Sequence, residues 1–303
     1  VTDNKTITGR LMKAISSFYY VNTEEGTIVC RARGKFRISG NAPLPGDVVD
    51  IIKSSKDEGV VTAIHPRKNE FIRPSVTNLD LLVIIASAAP PSTEVFLIDK
   101  VAAIAEHKGV EVVICINKSD LDFDNEMLSS IYEKAGFRVI NTSAVTMEGI
   151  DELRDQICGR VSAFTGNSGV GKSSILNMIS PKFGQKTGTI SDRIHRGRHT
   201  TRQVEFLKLD GGGIVADTPG FSAFDIDRAD VIFKEELAAA FIDFIPYIDN
   251  CRFTGCTHIK EDGCAVIDAV KNGDIGQSRY DSYVRLFESV KDIKEWELKQ
   301  GKK

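Results

Sequence analysis

The chain has 303 residues, 42% hydrophobic and 27% charged, with a net charge of −3, which suits a folded protein of two or three domains. No run of eighteen apolar residues occurs, which excludes a membrane-spanning helix. The first thirty residues mix Asp3, Lys5, Arg10, Lys13, Glu24 and Glu25 with apolar positions and fit no signal peptide, so the cytoplasm is the expected location.

Residues 1–68 hold eleven lysines and arginines against seven carboxylates, inside a chain that is acidic overall. Short apolar runs there are punctuated by Gly26, Gly34, Gly40, Pro45, Gly46 and Gly59, a spacing that predicts a small antiparallel barrel. Arg31, Arg33, Lys35 and Arg37 form a basic stripe that fits either a phosphate footprint or a solvated strand face. Phe36 within it fits either a stacking surface for bases or a core position. The run HPRKNEFIRP then reads as a linker.

From Leu79 the pattern changes. Buried strands are expected at LDLLVIIAS, EVVICI, FRVINT and RVSAFTG, alternating with helices over 95–108, 126–135 and 148–158. Continuous apolar strands separated by helices predict a parallel sheet covered on both faces. After Asp217 the strand signal stops, and helices are expected over 229–244, 264–272 and 275–297. The expected domains are an all-β OB-fold barrel at 1–68, an α/β P-loop domain at 69–228 and a mainly helical domain at 229–303.

Gly166, Asn167, Ser168, Gly169, Val170, Gly171, Lys172 and Ser173 spell GNSGVGKS, the pattern G-x-x-x-x-G-K-[ST] between a strand and a helix. The glycines let backbone N–H groups face phosphate oxygens, and Ser174 lies in the first turn of the helix that follows. Lys172 reaches the β- and γ-phosphates and Ser173 offers a hydroxyl to Mg²⁺. Asn117–Asp120 reads NKSD directly after a strand. The Asp120 carboxylate matches the N1–H and N2–H₂ donors of guanine, Lys118 lies along the base and Asn117 braces the loop. Read alone, NKSD also fits a helix N-cap. Ser143 and Ala144 follow the next strand, where the Ala144 N–H can reach guanine O6.

DTPG at Asp217–Gly220 follows the strand GGGIVA, with Asp217 toward Mg²⁺ and the Gly220 N–H toward the γ-phosphate. The stretch 183–203 supplies Thr200 and Thr201 as candidates to meet Mg²⁺, Thr201 foremost, and fits a γ-phosphate-ordered switch or a solvated basic loop. In this order NKSD precedes GNSGVGKS and DTPG comes last, a circular permutation of the common arrangement. GTP, GDP and Mg²⁺ are the implied ligands.

Cys30, Cys115 and Cys158 stand in apolar surroundings and read as buried thiols. Cys251, Cys256, His258 and Cys264 form C-x4-C-x-H-x5-C, a closed four-ligand set suited to structural Zn²⁺.

The permuted order, RARGKF, LPGDVV, PRKNEFIRP, GNSGVGKSS, RGRHTT and DTPGF together resemble the RsgA/YjeQ family of bacterial GTPases that assist maturation of the small ribosomal subunit. The resemblance implies an N-terminal OB-fold, a permuted P-loop GTPase domain, a C-terminal zinc domain, and the small ribosomal subunit with its rRNA as partner. The expected form is a monomer with no membrane partner. Many GTPases carry a water-orienting Gln after DxxG; here Phe221 stands there, so slow intrinsic turnover is expected. The resemblance places His199 in the switch loop as the candidate to position water. Arg196 and Arg198 fit either transition-state neutralisation or RNA-phosphate binding. A second reading is a nucleotide-gated RNA-binding scaffold with incidental hydrolysis.

Overall fold

A computed structural model describes residues 6–34, 36, 41–181, 183, 204–217 and 230–293, with the backbone alone at Asp217. Five strands, β1 (Thr6–Ile15), β2 (Phe18–Thr23), β3 (Gly26–Ala32), β4 (Val48–Lys53) and β5 (Glu58–Ile64), form the barrel. It closes because β1 pairs with both β2 and β4, while β3 pairs in parallel with β5. Alternating inward residues Leu11, Val21, Cys30, Val49, Ile51 and Val61 fill it. Phe36 is 7% exposed and belongs to this core, so the core reading holds for it and the stacking reading does not.

HPRKNEFIRP is no loose linker. β6 (Glu70–Phe71) pairs with β7 (Val76–Thr77), and Phe71 is fully buried in the next core. Asp47 of LPGD explains the attachment. Its fully buried carboxylate accepts two bonds of 2.8 Å from Arg67, one of 2.8 Å from the Thr77 hydroxyl and one of 2.8 Å from the Leu44 amide. A buried charge is tolerated when its lone pairs are filled in this way. Gly46 beside it has φ +99°, and a Cβ there would lie 2.1 Å from the Thr77 carbonyl oxygen.

The second core is a parallel sheet in the order β10 (Arg138–Thr142), β9 (Glu111–Asn117), β8 (Leu81–Ala86), β11 (Val161–Gly166) and β13 (Ile214–Asp217). The antiparallel strand β12 (Glu205–Lys208) follows β13, and its Glu205 registers with Lys13 of β1, joining this sheet to the barrel. That pairing covers an otherwise open sheet edge. On one face Leu81, Val83, Ile85 and Phe164 meet α3 (Ile150–Ile157) and α4 (Lys172–Ile179). On the other, Leu82, Ile84 and Ile114 meet α1 (Val95–His107), α2 (Asn125–Lys134) and the C-terminal helices.

The helix expected over 229–244 is broken. Within it lie α5 (Lys234–Leu237) and a 3-10 turn (Ala238–Ala240), and α6 (Ile245–Ile248) follows beyond it, with residue 229 outside the described residues. The break lies at Phe241, whose backbone is extended at φ −100°, ψ 101°. Phe241 and Phe244 are fully buried against Tyr283, at 5.4 and 4.9 Å between ring centroids. α7 (Ala265–Lys271) and α8 (Gln277–Val290) follow; α8 ends earlier than the expected residue 297, and residues beyond 293 lie outside the description.

A buried ion cluster fastens α8 to the core of the parallel sheet. Arg279, 1% exposed, donates at 2.7 Å to Asp99 of α1 and at 2.7 and 3.2 Å to Asp243. Its guanidinium lies 4.8 Å from the Phe241 ring centroid and 5.3 Å from that of Phe137. Burial disfavours its charge, but Asp99 and Asp243 outweigh that and raise its pKa. Arg279→Ala leaves two carboxylates unpaired and is expected to cost about 3–5 kcal/mol in urea unfolding. Arg279→Lys should recover only part, since an ammonium cannot span both acids with a planar fork. An Ala variant as stable as the parent would show the cluster to be dispensable.

Candidate functional site, a permuted guanine-nucleotide site

The site forms at the carboxyl ends of the parallel strands, where chain order reverses. β8, β9 and β10 step away in one direction, and β11 returns to the other side of β8. β11 is buried along its whole length and ends with Gly166 registered on Ile85. The turn into α4 has Gly169 at φ +84° and Gly171 at φ +97°. A Cβ on Gly171 would sit 2.1 Å from Asn117 Nδ2, so this position requires glycine for space as well as torsion. No side chain caps α4 at Gly171, which leaves its first-turn amides for an anion. Lys172 is half-buried, and Ser173 and Ser174 are exposed at the same helix end.

Asn117 joins two loops of the site. At 2% exposure it donates 2.7 Å to the Val170 carbonyl oxygen and accepts 3.3 Å from the Thr142 hydroxyl, tying the NKSD loop to the phosphate loop. Val170 itself packs its side chain in the core, leaving only its backbone to the site. Asn167 Oδ1 is buried with no hydrogen-bond partner, an unmatched acceptor inside the phosphate loop that suits a cation or a donor arriving with a ligand.

At the base end the Ser143 hydroxyl donates 2.6 Å to Asp120 Oδ1 while accepting from the Val145 and Thr146 amides at 3.1 and 3.0 Å. This aims the carboxylate and bonds it to the loop that carries half-buried Ala144. Lys118, at φ +68°, donates 2.8 Å to the Pro90 carbonyl oxygen. Ser119 donates 2.7 Å to Glu148, a second link between the two loops. The structure therefore brings Asn117, Lys118, Asp120, Ser143 and Ala144 together with 166–174. Asp217 ends β13 two strands from β8, with its backbone alone described. His199, Thr200, Thr201, Gly220, Arg196, Arg198 and Phe221 lie outside the described residues.

Of the thiols expected to be buried, Cys30 and Cys115 are, and burial pushes them up to about 11 and about 12. Cys158 is instead exposed, with its Sγ 3.2 Å from the Gly211 carbonyl oxygen, because it caps the C-terminal end of α3 at the surface. On the barrel, Arg31 is exposed with its guanidinium 5.0 Å from the Phe18 ring centroid, and Arg33 is also exposed. Lys35 and Arg37 lie outside the described residues.

The cysteine cluster assembles as the spacing predicts. Cys251, Cys256, His258 and Cys264 place their donor atoms within 4.8 Å of one another. The His258 Nδ1 is 3.4 Å from Cys264 Sγ and 3.6 Å from Cys251 Sγ, and the two sulfurs are 3.9 Å apart. Ligand bonds of about 2.3 Å in a tetrahedron imply ligand–ligand edges of roughly 3.8 Å, so the donor set fits Zn²⁺. Burial and the neighbouring sulfurs push the Cys256 thiol up to about 12.

Sequence reasoning missed the supports of this cluster. The Tyr280 and Tyr283 hydroxyls donate 2.9 and 2.8 Å to the His258 and Thr257 carbonyl oxygens, and Glu261 accepts from the Thr257, Ile259 and Lys260 amides at 2.9–3.1 Å. The i, i+3 tyrosine spacing on α8 was the available signal, but it reads as an ordinary core stripe.

The sequence profile of the RsgA GTPase family matches residues 64–227, and that of the RsgA N-terminal domain matches residues 8–61. The chain belongs to the RsgA GTPase family. It is 46% identical over 288 residues to the small ribosomal subunit biogenesis GTPase RsgA of Caldanaerobacter subterraneus subsp. tengcongensis, covering 94% of this chain and 96% of that one. It is 43% identical to the protein of the same name from Geobacillus thermodenitrificans, covering 94% and 98%. The fold superposes on the crystal structure of YjeQ from Thermotoga maritima with a TM-score of 0.80 at 34% identity, covering 96% and 100%. YloQ, a circularly permuted GTPase, gives a TM-score of 0.78 at 34% identity, covering 96% of each chain. The chain is thus a GTP hydrolase with a five-stranded barrel before a permuted nucleotide domain and a helical Cys3His region after it. Its GTPase domain implies guanine nucleotide and Mg²⁺ as ligands. No helix among the described residues is long and apolar enough to cross a membrane.

Proposed function

We propose that this GTPase assists late maturation of the small ribosomal subunit, binds its rRNA through the barrel, and uses hydrolysis to time its release. The observation that carries the reading is the bond from Asn117 to the Val170 carbonyl, which unites a guanine loop and a phosphate loop in permuted order. The printed names of the relatives supply the partner. In this reading residues 1–68, 69–228 and 229–303 act as RNA-binding, nucleotide and zinc domains of a cytoplasmic monomer.

Residues 166–174 bind the phosphates through backbone N–H groups and the Lys172 ammonium. Asp120, Lys118 and Ala144 read and flank the base. Ser173, Thr201 and Asp217, with Thr200 as the neighbouring candidate, would hold Mg²⁺, which draws charge off the transferring phosphoryl group. The Gly220 N–H meets the γ-phosphate, and His199 positions the attacking water in place of the Gln that Phe221 displaces. Cys251, Cys256, His258 and Cys264 would hold Zn²⁺ in a structural role.

Steady-state turnover of GTP, with ATP as control, tests the reading. Small subunits should raise GTP turnover by about 10²-fold or more, the scale of one well-placed acid–base group, and leave ATP turnover unmoved. His199→Ala should remove most of that stimulation. GTP turnover that the subunit does not change would favour the scaffold reading, for which Phe221 after DTPG is the specific observation.

A further inference from the structure

Nine large apolar side chains are exposed among the described residues, and five of them cluster at the base end of the nucleotide site. They are Leu121, Phe123, Met127, Val145 and Met147, at 43, 48, 65, 80 and 44% exposure. Val145 directly follows Ala144 in the loop after β10. Leu121, Phe123, Met127 and Met147 lie in or directly after the same two loops, and neither the Asp120 nor the Lys118 hydrogen bonds involve their side chains.

This surface is ordered. The Phe123 amide donates 2.9 Å to the Leu121 carbonyl oxygen, the Asn125 amide 2.8 Å to that of Phe123, and Asp124 caps α2 through the Met127 amide at 2.9 Å. The bonds from Ser143 to Asp120, from the Ser119 amide to the Thr142 carbonyl and from Ser119 to Glu148 lock both loops into one face. Exposed apolar groups on a rigid scaffold, with methionine and phenylalanine prominent, are the composition of a docking surface.

The charge around them selects the occupant. Residues 118–127 and 144–148 carry one lysine against Asp120, Asp122, Asp124, Glu126 and Glu148. Lys118 is already engaged by the Pro90 carbonyl. A phosphate backbone would meet like charge here at short range. A second copy of this chain in a two-fold contact would bring the same carboxylates against themselves. A protein segment with apolar anchors flanked by lysines and arginines meets neither obstacle.

We propose that this face docks a basic protein of the small ribosomal subunit, and not its rRNA, an inference that rests on the small-subunit reading above. The partner grips the two loops that carry Asp120 and Ala144, so binding there and binding of guanine nucleotide strengthen each other by one common factor.

The test uses the full chain with a non-hydrolysable GTP analogue on purified small subunits, carrying a photo-crosslinking amino acid at position 127. The expected product is a covalent adduct to a lysine- and arginine-rich subunit protein. The double variant Phe123→Ser, Met127→Ser should lose about tenfold or more in subunit affinity, the scale of removing anchors from an interface centre. Free of subunits, its GTP affinity should match that of the parent. Asp122→Lys with Glu126→Lys should also weaken subunit binding. Crosslinks to rRNA alone, or full subunit affinity in both variants, overturn the proposal while leaving the small-subunit reading intact. A parent protein that does not bind the subunit overturns both.

Discussion

Stripping the metal from the C-terminal cluster is expected to cost the chain several kcal/mol of stability, toward the ~10 kcal/mol scale of structural zinc sites. The reasoning begins with four donors held within 4.8 Å, three of them sulfurs. Burial and the neighbouring sulfurs push the Cys256 thiol up to about 12, and burial raises Cys264. Neutral thiols hold the 251–264 connection only through weak hydrogen bonds. Bound as thiolates, the same groups fix the ends of that connection, and the Tyr280 and Tyr283 hydroxyls transmit the constraint to α8. The purified chain should carry one zinc per molecule. A strong chelator should lower its melting temperature and expose amides 251–264 to hydrogen exchange. Cys264→Ser should reproduce the loss, whereas Cys158→Ser, at an exposed position, should not. Binding displaces thiol protons, so metal affinity should fall as pH falls. A metal-free chain with an unchanged melting temperature would reduce the cluster to a packed histidine among thiols.

How far the sequence was legible depended on whether a signal was local. Phosphate-loop glycines, the NKSD segment and the cysteine spacing each need only a few neighbouring residues to act, so each is readable without knowledge of the fold. The α/β alternation was readable for the same reason, because strands such as Leu81–Ala86 are apolar at every position. Long-range features were not. Asp47 reads as a turn residue after Pro-Gly, yet it is the buried anion that clamps Arg67 twenty positions later. Arg279 looks like a solvent-facing helix residue until Asp99, 180 positions away, supplies its partner. β12 was missed because EFLK is only four residues long and is held by pairing with β13, with one further pair to β1 of the barrel. The continuous helix expected over 229–244 gives way at an extended Phe241, a break that no local signal marks. Propensity carries no information about any of these partners.

Replacing Asp120 with asparagine is expected to lower GTP affinity by about 10²–10⁴-fold, from two charge-assisted bonds of roughly 1.5–3 kcal/mol each. The structure adds a directional argument. The Ser143 hydroxyl accepts from the Val145 and Thr146 amides, so its own proton must go to the oxygen of residue 120. An asparagine there keeps Oδ1 on Ser143 and turns its NH₂ toward the base. Guanine N1–H can still meet Oδ1, but the N2 amine then faces the NH₂, a donor against a donor that leaves both unpaired. Xanthine carries a carbonyl at C2 in place of the amine, which accepts from that NH₂, while Oδ1 retains a lone pair for N1–H. Xanthosine triphosphate should therefore bind the variant at least as well as GTP does, and the parent poorly. Titration of both nucleotides against both proteins checks this. Equal loss of the two nucleotides would mean that the substitution had collapsed the loop, and the Ser119–Glu148 link makes that the less favourable course. Ser143→Ala separates the causes further. Without the hydroxyl proton the amide is free to flip, so the double variant should discriminate less between the two bases than Asp120→Asn alone.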